Sequence, residues 1–309
     1  MSTDSIFPLE IEERIIDLLA EDTEDLASVK TCSLVCRAFL PFCRKHIFAS
    51  VVLNPGKHAT PPSTTPTLER LLSTTPEIAR CIRKLDYNIA VRDFTSPLIQ
   101  ECLKKISRLQ YLSVHHFYRQ ALDWSRNPLR PALLHLLHLP TLTHLHLFAL
   151  ENFVLSDLLP CINLKKLEIE RLTAVDWVDN TFSSAFRDHS VQLNHLSVRS
   201  RCSEAVIKMC RAQRPDGRAL FDFSFLTNIS VALNKTNDIE ALQELFERCG
   251  HLINVTISCK RGLPYGHHVY KDLRFSSLQS HVGLDQPCRL IATLYADHQE
   301  HPRGNFCQR

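Results

Sequence analysis

Glycine is scarce in this chain, with seven among 309 residues, and no two lie closer than Gly262 and Gly266. Closely spaced glycines that let a backbone wrap a phosphate are therefore missing, which excludes the usual nucleotide-binding loops. There is no Gly-x-Ser-x-Gly elbow, no His-Glu-x-x-His and no Cys-x-x-Cys pair. No apolar run approaches the ~20 residues that a membrane-spanning helix needs. Residues 1–13 are acidic and lack the basic-then-apolar layout of a secretory leader. The expected location is the cytoplasm or the nucleus, with no membrane association. In that setting the twelve cysteines read as reduced thiols, and the Asn228, Asn234 and Asn254 glycosylation triplets as chance.

What is present is a globular composition, 44% hydrophobic and 22% charged, in a chain long enough for one large or two modest domains. The net charge is +3, unevenly spread: residues 1–53 hold five Lys/Arg against nine Asp/Glu, leaving +7 for the rest. That surplus is too diffuse for a nucleic-acid stripe, so no nucleic-acid partner is expected.

The most informative stretch is Phe7–Leu53. Pro8 suits a first helical turn, where its missing N–H has no partner to lose. Ile11, Ile15 and Leu18 recur at helical spacing, and Leu9 with Ile16 forms a second apolar stripe. A helix with two apolar faces has two things to pack against, and its own small bundle supplies one. A second helix is expected over about 24–31, with Asp22 or Thr23 as N-cap, and a third from Ser33, with Pro41 kinking or ending it.

Phe7-Pro8-Leu9-Glu10-Ile11, Ile15-Ile16-Asp17-Leu18-Leu19 and Val35-Cys36-Arg37-Ala38-Phe39 together resemble the F-box, in the variant common in mushroom-forming fungi. Phe7 stands where the family has Leu and Phe39 where it has Trp, and both substitutions keep a large apolar side chain. The resemblance covers about a sixth of the chain. It implies docking on the Skp-family adaptor of an SCF-type cullin-RING ubiquitin ligase through Phe7, Pro8, Leu9, Ile11, Ile15, Leu26, Leu34, Val35 and Phe39.

Residues 54–67, with four prolines among Ser and Thr, read as a linker. An apolar-x-x-apolar-x-apolar phrase then recurs seven times. The copies are Ile82-Leu85-Tyr87, Leu109-Leu112-Val114, Leu142-Leu145-Leu147, Leu164-Leu167-Ile169, Leu193-Leu196-Val198, Leu226-Ile229-Val231 and Leu252-Val255-Ile257, at a mean spacing of about 28 residues. In a strand the triplet faces inward and the residues between face out. Helices are expected over 98–106, 132–139, 175–186, 204–213 (capped by Ser203) and 239–249 (closed by Gly250). The expected fold is thus α/β: an F-box of residues 1–53, then an irregular leucine-rich-repeat-like solenoid over 68–259 with a parallel sheet on its concave side. The phrase lacks the Asn or Cys of strict repeats and resembles the degenerate arrays behind fungal F-boxes. Residues 260–309 read as an irregular cap or tail, with a strand near 273–278 and a helix near 289–295.

The outward positions are polar with a few aromatics, which suits protein recognition. The set expected to hold a target protein is Lys84, Asp86, Tyr111, His115, His144, His146, Phe148, Lys166, Glu168, His195 and Arg199. The histidines among them also raise a metal site, but zinc sites usually pair His with carboxylate or Cys at defined spacing. Cys32, Cys36, Cys43 and His46 would span ~21 Å on one helix, too far for one ion. Cys288, His298, His301 and Cys307 sit in the tail, where four donors arise readily by chance. The expectation is a non-enzymatic substrate receptor without metal or cofactor. The alternative is a leucine-rich-repeat-like scaffold with no ubiquitin-ligase role, its helical bundle being only a cap.

Overall fold

The computed structural model describes residues 8–22, 26–54, 64–116, 121–175, 189–213, 217–261 and 269–276. Among the described residues, eight α-helices and a mostly parallel sheet make an α/β fold. Two compact units divide it: residues 1–117 with 127–142, and residues 118–126 with 143–309.

The first unit opens with three helices, α1 (Leu9–Asp22), α2 (Ala27–Val35) and α3 (Leu40–Ile47). After these come β1 (Ser50–Leu53), α4 (Thr65–Thr74), β2 (Lys84–Asn88), α5 (Pro97–Lys105), β3 (Tyr111–His115) and α6 (Arg130–Leu137). Four of these helices, α3 to α6, carry proline in the first turn. There the ring's fixed φ is pre-organised and no internal hydrogen bond is lost. Pro41 therefore starts a helix rather than kinking or ending one. The expected cap Asp22 is the last residue of α1, and Thr23 lies outside the described residues.

Strands β1, β2 and β3 pair in parallel, with Val51 opposite Leu85 and Leu85 opposite Leu112. Hence β1 is a further copy of the apolar phrase, Phe48-Val51-Leu53, inside the residues 1–53 expected as the F-box. Only Phe48 and Ala49 separate α3 from this strand. The other end of the linker is the start of α4; residues 55–63 lie outside the described residues.

The second unit holds β4 (Leu122–Asp123), β5 (His144–Val154), β6 (Lys166–Val175), β7 (Val191–Gln192) and β8 (His195–Val198). It continues with α7 (Ser203–Arg211), β9 (Phe221–Asp222), β10 (Asn228–Leu233), α8 (Thr236–Phe246), β11 (Asn254–Arg261) and β12 (Val269–Ser276). Leu145, Leu167, Leu196, Ile229 and Val255 align across five parallel strands without a slip. The strand expected near 273–278 is β12, which runs antiparallel to β11. All 21 residues of the seven apolar triplets are buried, so the phrase marks one continuous inward face in each unit.

A repeated hydrogen bond fixes that register. The carbonyl just ahead of a strand accepts two N–H donors from the next strand: Arg83 and Lys84 on Ala49, Gln110 and Tyr111 on Arg83. In the second unit the same fork recurs on Thr143, Lys165, Asn194 and Thr227.

Of the expected helices, 98–106, 132–139, 204–213 and 239–249 correspond to α5 to α8. Val175 is instead the last residue of β6, and 176–188 lie outside the described residues, as do the helix near 289–295 and the rest of the tail. Ser203 is the first residue of α7, preceded by Cys202, and its hydroxyl is turned to the Asp238 carboxylate. Helix α8 stops at Phe246, and Gly250 is not in the left-handed conformation of a closing glycine.

Two buried polar side chains tie loops to the units. In the second, Trp124 Nε1 donates to Asp157 at 2.7 Å, and the indole lies 5.1 Å from the Phe153 ring. In the first, the buried Asp93 carboxylate accepts from Thr65 Oγ1 (2.7 Å), Asn54 Nδ2 (3.0 Å), Tyr87 OH (3.0 Å) and the Ala90 amide (2.9 Å). Burial and the Asp93 charge raise the Tyr87 phenol far above its ordinary value. Asp93→Ala would strand four donors at once. It is expected to destabilise the unit by roughly 3–5 kcal/mol, measured as a fall in the urea midpoint; an unchanged midpoint would deny Asp93 this role.

Candidate functional site

Ile16, Val29 and Cys43 form the buried centre of the helical bundle, with Leu19, Ala20, Leu26, Cys32, Phe39, Phe42 and Ile47 packed against it. Among the described residues this core is built within α1 to α3, and the other apolar face of α1 takes no part in it. Leu9, Ile11, Ile15 and Leu18 stand exposed, as do Leu34 and Val35 at the end of α2, at 86% and 71% exposure. Among the described residues, six of the twelve exposed large hydrophobic side chains thus fall within residues 9–35. Such a concentration marks an interaction surface.

Of the nine residues expected to dock an adaptor, Pro8, Leu9, Ile11, Ile15, Leu34 and Val35 are exposed. Leu26 and Phe39 turn inward and support the bundle, while Phe7 lies outside the described residues. Leu18 joins the exposed set; its helical spacing from Ile11 and Ile15 was the signal for it.

Helix α3 is held to α1 by ion pairs. His46 Nε2 lies 2.6 Å from Asp17 Oδ1, and Lys45 Nζ reaches Glu13 and Asp17 at 3.2 and 3.3 Å. The hydrogen bond from His46, helped by Lys45, holds the Asp17 carboxyl below the usual carboxylate range. A lowered folded-state pKa stabilises above the unfolded value, and the contribution disappears as pH falls through the folded value. Asp17→Asn should therefore cost ~0.5–1 kcal/mol at neutral pH and nothing in strong acid. Urea titrations at the two pH values check this, and an equal cost in acid would contradict it.

The cysteines of this region are not spread along one helix. Cys32 belongs to α2 and Cys43 to α3, and both pack into the bundle core. The ~21 Å separation expected from a continuous helix is thereby overturned. Among the described residues, no three His, Cys, Asp or Glu side chains are grouped to hold a metal. Burial pushes the thiols of Cys161, Cys202, Cys210 and Cys249 up to about 12, which leaves little thiolate for nucleophilic work at neutral pH.

The second surface is the outward face of the strands. In the first unit Lys84 lies over the Tyr111 ring (4.6 Å), and His115 Nε2 meets Asp86 at 3.1 Å while its ring also pairs with the Ser113 hydroxyl. In the second unit, register sets His144 beside Lys166 and Lys166 beside His195, with His146 beside Glu168 one row on and Phe148 beside Glu170 in the third. Lys166 bridges to Glu168 at 2.8 Å and Arg199 to Glu170 at 3.6 Å. Arg171, absent from the expected set, lies over the Phe148 ring at 5.7 Å. Lys166 thus stands between His144 and His195 in the register.

A groove of about 1020 Å³ runs between α7 and the first turn of α8. Of its lining charges, Lys208 pairs with Glu204 inside the groove and Arg211 with Glu244 outside it, at 2.9 Å each. No helix among the described residues is long and apolar enough to cross a membrane. No protein-family model matches the sequence, and a search of curated proteins finds no match.

Proposed function

We propose that this chain is the substrate-recognition subunit of an SCF-type cullin-RING ubiquitin ligase, with residues 1–53 as its F-box and the strand repeats as a degenerate leucine-rich-repeat-like receptor. One observation carries the reading. A small bundle with its own finished core leaves Leu9, Ile11, Ile15, Leu34 and Val35 exposed, the positions at which the F-box resemblance calls for adaptor contacts. A Skp-family adaptor covers that face, and the outward strand face holds a target protein, within the cytoplasm or nucleus. The chain performs no bond chemistry and needs no cofactor. Its contribution is proximity, raising the effective concentration of target lysines near the charged conjugating enzyme.

The two-residue step from α3 into β1 favours a second reading, in which the bundle is only the terminal cap of a scaffold. A cap, however, gains nothing by exposing Leu34 and Val35. Co-expression with the Skp-family adaptor, followed by size-exclusion chromatography, separates the two. The ligase reading expects a one-to-one complex that Pro8→Ala/Ile15→Asp abolishes and that Ile15→Ala weakens by ~2 kcal/mol, roughly 30-fold in Kd. A soluble monomer indifferent to the adaptor leaves the scaffold reading.

A further inference from the structure

Register assembles a row on the open face of the second unit that sequence order hides. His144, Lys166 and His195 stand side by side at the start of β5, β6 and β8, and the row continues through Asn228 and Asn254. It contains no acid. The acids of the next two rows, Glu168 and Glu170, are already paired with Lys166 and Arg199. An ammonium has three donors, and Glu168 engages one of those on Lys166, so the ammonium can accept a further anion.

The flanking rings respond to that anion. Burial, and then the Lys166 charge, hold His144 and His195 below the ordinary histidine value, with Glu168 acting in the opposite direction on both and His144 adding to the lowering of His195. From β10 the row is faced by Asn228 and Ser230, which do not titrate, and from the next row of β5 by His146, which lies beside Glu168 and whose charge acts on that carboxylate. At neutral pH the row is one cation between two mostly neutral imidazoles. A carboxylate placed there favours protonation of both rings.

We infer that the His144–Lys166–His195 row is the seat for an acidic segment of the bound protein, a carboxylate meeting Lys166 and drawing protons onto the two histidines. The inference rests on the reading of this face as target-binding and adds the chemistry of what it takes. Its sign follows from linkage: anion binding tightens as pH falls through the histidine range.

The test uses the full chain with fluorescent hexaglutamate and hexalysine peptides as probes, at low salt, followed by fluorescence anisotropy. Hexaglutamate should bind roughly tenfold tighter at about pH 5.5 than at about pH 7.5, and hexalysine should not bind. Lys166→Gln should weaken hexaglutamate at least about fivefold at both pH values. His144→Gln/His195→Gln should flatten the pH response while holding the neutral-pH affinity within about twofold. Far-ultraviolet circular dichroism establishes that each variant is folded. Absent hexaglutamate binding, equal binding of both probes, indifference to Lys166→Gln, or a pH response that survives the double histidine variant each overturns the inference. Adaptor binding measured on the same samples keeps the two proposals apart: a failed peptide assay beside an intact adaptor complex removes the row alone, and the reverse removes the ligase reading alone.

Discussion

The parallel register held at the strand starts is the constraint on which the other features depend. The starts of β2, β3, β6, β8, β10 and β11 are each set by a carbonyl of the preceding strand's lead-in that holds two N–H groups. A slip of one residue would turn every Leu-x-Leu pair outward and every His or Lys inward. Burial of the apolar triplets and assembly of the His144–Lys166–His195 row are therefore two consequences of one ladder. In the first unit a ladder of the same kind begins at β1, only two residues after α3, so the helical bundle runs directly into it.

The two surfaces differ in the physics they offer. The bundle displays aliphatic side chains, whose burial is worth ~1.5–3 kcal/mol each and is indifferent to pH. The strand face displays imidazoles, paired charges and a few aromatic rings, which give specificity and sensitivity to ionic conditions more than bulk affinity. A constant partner on the first surface and a selected one on the second matches that division.

Much of the fold was legible because its signals are periodic. The apolar phrase marked seven strands, since each copy is a local pattern bounded by polar residues. The first copy, Phe48-Val51-Leu53, was hidden because it directly follows a helix and reads as the helix's apolar tail. Pro41 misled because proline ends one helix and starts another with equal ease, and local sequence does not distinguish the two. Leu26 and Phe39 turn inward because the bundle's small core draws on them, and no spacing rule separates a docking apolar residue from a supporting one. Ser203 meets Asp238, 35 residues away, so its role depended on packing that sequence does not display.

The central claim is that the exposed face of α1 and α2 is covered by an adaptor. Amide hydrogen exchange of the chain, alone and with the Skp-family adaptor, tests it most directly. New protection is expected over residues 9–18 and 27–35, with β5 to β11 unaffected. Protection that leaves those helices unchanged, or that falls on the strands, would contradict it.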